Sequence, residues 1–244
     1  MSPEVWISIF STLLLGATAI WGDSLRRRLA PPRLDIKANT APPDCVQIPI
    51  DTGSSRKAFD YFIRIRIVNS GSEAKHVEVY ANELKVKDST GSFKPVSDFL
   101  PMNLTWSYLG QSILPSIPRG ITRSLDIAHV IDPDIRFINP NEHKVWPNVD
   151  HKCAILSFIH SFKVNSNLHL QPPGTYRLHL LITAENSKTI ARCIEVYISG
   201  NWFNDPNKMY SDGIRIRVVN GNHSSHIDIF DRARKEAYWL CGRS

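Results

Sequence analysis

The sequence predicts a mainly β protein, an antiparallel β-sandwich preceded by one N-terminal transmembrane helix. Three observations carry this. About nine short segments alternate apolar and polar residues and are separated by Gly, Pro and Asn turns, the pattern of half-buried strands. No strand–helix–strand rhythm and no fixed-period repeat occurs, which argues against a parallel sheet or a solenoid. The run Val5–Trp21 contains no charged residue and is followed by Arg26, Arg27 and Arg28.

The apolar run comes first. As a helix it reaches about 25 Å at about 1.5 Å per residue, near the short end of a bilayer span. Trp6 and Trp21 fall near its two ends, where indole rings favour the headgroup level. A cleaved signal peptide needs a basic leading segment, and Met1–Val5 carries Glu4 and no Lys or Arg, although Ala17-Thr18-Ala19 has the small residues of a cleavage site. Residues 4–22 are therefore assigned to the span and residues 23–32 to a basic, Pro-rich tether. Arg26, Arg27, Arg28, Arg33 and Lys37 all follow the span, which places that side in the cytoplasm with the N-terminus outside. The opposite orientation would make Asn103-Leu104-Thr105 and Asn222-His223-Ser224 glycosylation acceptors.

Residues 33–227 form the expected sandwich. Pro31-Pro32 stops any helix leaving the membrane, and Arg33–Ala38 alternates as a first strand. Thr40–Ser55, with three prolines, reads mostly as loop. Phe59–Val68 is the clearest strand, with Tyr61, Ile63, Ile65 and Ile67 on one face and Phe62, Arg64, Arg66 and Val68 on the other. Asn69–Ser72 turns the chain into Ala74–Lys87, a long strand or strand pair. Thr90–Val149 is irregular, with extended pieces at Ser97–Leu104, Ile121–Val130 and Asp134–Ile138. Ala154–Phe162 is a further strand. Pro172-Pro173-Gly174 then leads into the alternation Tyr176, Leu178, Leu180, Ile182. Thr189–Ser199 and Ile214–Val219 close the sheet pattern, and residues 228–244 form a short helix or tail.

The stretch Tyr61–Ser72 followed by Ala74–Val79 resembles the immunoglobulin-like adhesion-type modules of bacterial proteins, in which a strand ends in Val-x-Asn-x-Gly before a Val-x-Val strand. Tyr176–Asn186, leading through Thr189–Ser199 into Gly200-Asn201-Trp202, adds to a resemblance to uncharacterised prokaryotic proteins with one N-terminal span. The resemblance implies an immunoglobulin-like sandwich and transfers no catalytic residue. The long middle segment departs from a compact module of that type.

Composition and motifs bound the chemistry. The net charge is +6 over 244 residues, without a basic run beyond Arg26–Arg28, so anionic lipid headgroups are the expected partner there and a nucleic acid is not. Cys45, Cys153, Cys193 and Cys241 lack CxxC spacing and read as free thiols. Asp51-Thr52-Gly53-Ser54 imitates an aspartic-protease motif, but that chemistry needs two adjacent carboxylates and no second such motif is present. It reads as a turn. His143, His151, Cys153 and His160 cluster in sequence without the spacing of a known metal site. Two arginine ladders, Arg64 with Arg66 and Arg215 with Arg217, would stripe one sheet face if their strands were neighbours, and would then grip an anionic partner; the plainer reading is a solvated face balanced by Glu78, Glu83 or Glu195. Trp202, Phe203 and Tyr210 read as an aromatic plug at one end of the sandwich. The functional expectation is a non-enzymatic interaction or sensing module, without cofactor or metal, held against the bilayer and binding another protein. The alternatives are an outside-facing sandwich that binds glycan or protein and, remotely, an aspartic-type hydrolase using Asp51.

Overall fold

Period-two alternation builds two antiparallel sheets whose apolar faces meet. The computed structural model describes residues 31–51, 57–97, 99–136, 152–159, 161 and 169–219, with six helical positions among the first 16 residues. The strands are β1 (Leu34–Lys37), β2 (Cys45–Ile50), β3 (Ala58–Asn69), β4 (Ala74–Lys87), β5 (Phe93–Pro95), β6 (Met102–Asn103), β7 (Thr105–Trp106), β8 (Leu114–Ile117), β9 (Thr122–Ile131), β10 (Leu156–Phe158), β11 (Leu170–Gln171), β12 (Gly174–Thr183), β13 (Ile190–Ile198) and β14 (Ile214–Val218). The first sheet runs β1-β3-β9-β10-β11, with β2 beside β1 on the same edge of β3 and β7 against β9. The second runs β14-β13-β12-β4-β5, with β6 and β8 also on β4.

The expected core face of β3 is the observed one. Tyr61, Ile63, Ile65 and Ile67 are fully buried against Val77 and Val79 of β4, Leu178, Leu180 and Ile182 of β12, and Ile194, Val196 and Ile198 of β13, in one continuous core. Two β-bulges correct the strand phase. On β9 the pairing passes from Ile63 with Ala128 to Arg64 with Asp126, leaving Ile127 as the extra residue. On β4 it passes from His179 with Glu83 to Leu180 with Ala81, leaving Asn82. An extra residue reverses the alternation, so Val77, Val79 and Ala81 before the bulge and Leu84 after it all point inward.

Three expectations need correction. Residues 45–50 are a strand and not loop: Cys45–Ile50 pairs with Ala58–Ile63 along an edge, where Pro49 needs to donate to no further strand. Asp134–Ile138 is not extended at its start; Pro133–Arg136 forms a turn of helix, α1, because the Asp132 carboxylate accepts from the Asp134 amide and Pro133 occupies the first helical position. The middle segment supplies four short strands, β5 to β8, that complete both sheets. The tail 228–244 lies outside the described residues. So does most of 4–22; Pro3, Val5, Phe10, Ser11, Thr12 and Gly16 are helical and exposed. Among the described residues no helix is long and apolar enough to cross a membrane.

One end of the sandwich is organised by a buried amide. The Asn69 side chain donates to the carbonyls of Ser72 and Ile117 and accepts from the amides of Arg33 and Gly71. Its own backbone amide donates to Ile121 and its carbonyl accepts from Gly120. Every hydrogen-bonding position of a carboxamide is thus used. The start of β1, the β3–β4 turn and the β8–β9 turn are tied together as one pole. Gly71 is required there: a Cβ on it would stand 2.3 Å from the Pro31 oxygen and 2.5 Å from the Arg33 nitrogen, because the chain crosses directly over it. Removing the amide strands several buried backbone groups. Asn69→Ala is therefore expected to lower stability by about 3 kcal/mol, read as a shift in the urea midpoint; a loss under about 1 kcal/mol would show that water replaces the amide.

Candidate functional site

The two arginine ladders do not meet. Arg64 and Arg66 stand on β3 in the first sheet, and Arg215 and Arg217 on β14 in the second, so they form no common stripe. Each pair does project from the outer side of its strand, as the alternation requires. Arg64 is almost fully buried: its Nε donates to the Asp126 carboxylate at 2.7 Å and an Nη to the Tyr108 hydroxyl at 2.8 Å. The bulge at Ile127 is what brings Asp126 opposite Arg64. Tyr108 lies with its ring 4.8 Å from the guanidinium and with φ of 66°, a conformation that costs a bulky residue about 1–3 kcal/mol and is held here by that contact. Arg66 pairs with the buried Asp44 at 2.7 Å. Both guanidiniums therefore serve the fold.

On the second sheet, the outer side carries rows of facing residues. Lys85, Arg177, Glu195 and Arg217 form one row, in which Glu195 takes both Arg177 and Arg217. The Arg177 guanidinium also lies 3.8 Å from the Phe93 ring centre. Glu83, His179 and Cys193 form the next row, with His179 Nε2 4.0 Å from both the Glu83 carboxylate and the Cys193 thiol. That row invites a comparison with a Cys–His nucleophile pair. Burial raises the Cys193 thiol above its ordinary range, however, which keeps it protonated and unreactive. Burial, followed by the charge of Asp44, likewise pushes Cys45 up to about 12. Cys45 and Cys193 carry free thiols. Arg215 pairs with no carboxylate among the described residues; it donates to the Ser211 carbonyl and lies over Tyr197.

Of the remaining sequence candidates, Asp51 is exposed at the end of β2, and Thr52, Gly53 and Ser54 lie outside the described residues. His143, His151, His160, Cys241 and Arg26–Arg28 lie outside them too. Among the described residues no cluster of three or more His, Cys, Asp or Glu could hold a metal ion. The Asn103 amide is bonded to Glu78 at 2.7 Å.

Trp202, Phe203 and Tyr210 close the end of the sandwich opposite Asn69. Trp202 and Tyr210 meet the Tyr61 ring edge-on, with centroids 5.3 and 5.8 Å away, and the Tyr61 hydroxyl donates to the Phe203 carbonyl while accepting from Gln47. The short helix α2 (Pro206–Lys208), capped by the Asp205 carboxylate, and one π-helical turn, Met209–Gly213, fold this loop back onto the core.

Sequence reasoning missed the Asn69 pole. It read Arg33 as a flanking charge, yet pairing places exposed Arg33, Arg119, Ile121 and Arg123 around one point. The available signal was the basic turn Arg119-Gly120-Ile121-Thr122-Arg123 itself.

No family model matches this chain, and no curated protein does. A solved structure, described as the X-ray structure of Northeast Structural Genomics Consortium target SoR45, aligns over 66% of this chain and 79% of its own, at 12% identity and a TM-score of 0.26. A superposition that loose carries no argument about fold or function.

The buried plug has a pH signature. Burial, then the neighbouring Tyr210, pushes the Tyr61 phenol up to about 12, and burial raises Tyr176 still further. A raised folded-state value means that the stabilisation is complete below the unfolded phenol value near 10 and is lost as the pH climbs through the folded value. Unfolding free energy should fall between about pH 10 and 12 by roughly 1.4 kcal/mol per pH unit for each buried phenol. Tyr61→Phe should reduce that slope by one proton's share; an unchanged slope would show that Tyr61 ionises freely in the folded state.

Proposed function

We propose that the chain is a single-pass membrane protein that holds a non-enzymatic, immunoglobulin-like β-sandwich at the cytoplasmic face of the bilayer, where it engages another protein. The observation that carries this reading is the uncharged run Val5–Trp21, its Arg26–Arg28 stop, and the way Pro31-Pro32 passes straight into a rigid pole of the sandwich. The helical backbone at Pro3, Val5, Phe10–Thr12 and Gly16 accords with a span.

The finer fold assignment rests on strand order. β1/β2-β3-β9 against β14-β13-β12-β4 supports an assignment in which the first, second and fifth strands of an immunoglobulin-like sandwich face the third, sixth and seventh, with β14 added at the edge. The Tyr176 hydroxyl donates to the Pro172 carbonyl at 2.7 Å, four residues upstream at the start of β12, which has the form of a tyrosine corner. A non-enzymatic role accords with buried, protonated thiols and with guanidiniums engaged by their own carboxylates. A tether works by proximity, since confinement near the membrane raises the effective concentration of domain and partner without any new contact. Free thiols are at home in a reducing compartment.

Orientation is testable at the far end of the domain. Asn207→Cys, on the exposed turn next to the aromatic plug, should react with a membrane-impermeant maleimide only after permeabilisation, above the background of the parent chain. Reaction in intact cells would place the sandwich outside. Release of the parent chain from membranes by alkaline carbonate would overturn the anchor.

A further inference from the structure

We infer that the Asn69 pole is a lipid-contacting surface: Arg33, Arg119 and Arg123 bind the anionic headgroups of the bilayer, with Ile121 at the centre of the contact. The inference rests on the anchored reading above and names which part of the domain meets the membrane.

The first argument is position. The chain reaches the sandwich at Pro31 and Arg33, and both are fixed to this pole, Pro31 by its passage over Gly71 and Arg33 by its amide bond to Asn69. Nine residues lie between Trp21 and Pro31. Ten backbone steps reach at most about 36 Å at about 3.6 Å per residue, which bounds the distance of the pole from the surface that holds the span. The aromatic plug is at the other end of β3; Tyr61 is eight positions from Asn69 along the strand, about 26 Å at about 3.3 Å per residue.

The second argument is charge availability. Along the sheet faces the guanidiniums of Arg64, Arg66, Arg177, Arg192 and Arg217 each meet a carboxylate. At the pole Arg33, Arg119 and Arg123 are exposed and make no ion pair or side-chain hydrogen bond among the described residues. Exposed Lys75 and Lys188 add to them, against the carboxylates Glu73 and Glu185, the latter bonded to His76. A basic residue near an anionic leaflet strengthens association by roughly fivefold.

The third argument is apolar exposure. Among the described residues of the sandwich, the exposed large apolar side chains are Leu100, Tyr108, Leu109, Ile113 and Ile121; Tyr108, Leu109 and Ile113 belong to the β7–β8 connection and Ile121 to the β8–β9 turn. Ile121 stands between Arg119 and Arg123 at the tip of the pole. Tyr108, Leu109 and Ile113 lie farther from the pole: Ile113 adjoins Leu114, at the end of β8 away from the Asn69 turn, and Tyr108 reaches Arg64, five positions from Asn69 on β3. An apolar residue set among cations fits an interface of charged headgroups over acyl chains.

The test uses the full chain reconstituted in two kinds of vesicle, neutral phosphatidylcholine and the same lipid with about 30% phosphatidylserine, followed by hydrogen exchange. Peptides covering 117–124 should exchange about tenfold more slowly in the anionic vesicles, and peptides covering 202–210 should not change. The slowing should vanish with the double variant Arg119→Glu/Arg123→Glu and at about 0.5 M salt, while the chain still floats with both vesicles through its span. Equal exchange at 117–124 in both vesicles, or protection that survives the double variant, overturns the inference and leaves the anchor standing. Failure to float with neutral vesicles overturns the anchor, and this inference with it.

Discussion

A single buried carboxamide sets the geometry on which one end of this protein depends. Asn69 ends the longest strand of the first sheet, and its side chain satisfies two carbonyls and two amides from three separate segments. Loop ends are ordinarily the parts of a sandwich most free to move, because their backbone groups bond to water. Here those groups bond inward to one amide, and Gly71 lets the incoming chain lie against the turn. The consequence is a rigid junction in place of a loose tether: the direction in which residues 31–33 leave the domain is fixed by the same bonds that hold the β8–β9 turn.

The charges follow a second constraint. A buried guanidinium must be paired, because leaving it unpaired in a low dielectric is far more costly than exposing it. The structure meets this on both sheets, and one bulge exists at the very place where Arg64 needs Asp126 opposite. Pairing neutralises three of the four ladder arginines, Arg64, Arg66 and Arg217. Among the described residues Arg33, Arg119 and Arg123 at the Asn69 pole meet no carboxylate and are solvated by water, as is Arg215 at the plug end. Folding thus gathers Arg33, Arg119 and Arg123, distant in sequence, at the end where the N-terminal segment arrives.

Much of the sandwich was legible because its strands are buried on one side. Tyr61, Ile63, Ile65 and Ile67 declare their face by alternation, as do Tyr176, Leu178, Leu180 and Ile182. Both bulges also left a trace, as the inward positions change parity from Ala81 to Leu84 on β4 and from Ile127 to Ala128 on β9. β2 was not legible, since Pro49 and its neighbours read as loop and the strand exists only because β3 offers an edge. The short strands β5 to β8 are too brief to show a period. Of the candidate site, the arginines on alternating strands were visible and their partners were not, because Asp44 and Asp126 approach them from 22 and 62 residues away.

By itself the sequence determined the local properties: which segments are extended, which face of each is apolar, where turns must fall, and the uncharged run ahead of a basic cluster. These depend on residues a few positions apart, through strand period, proline geometry and hydropathy. Only the tertiary structure decided which strands are neighbours, and so which charges meet. It separated the two arginine ladders into different sheets, joined Arg33 to Arg119 and Arg123 around Asn69, and buried the thiols of Cys45 and Cys193. Each of these is a matter of contact between distant segments, set by sheet order and by the requirement that buried polar groups find partners.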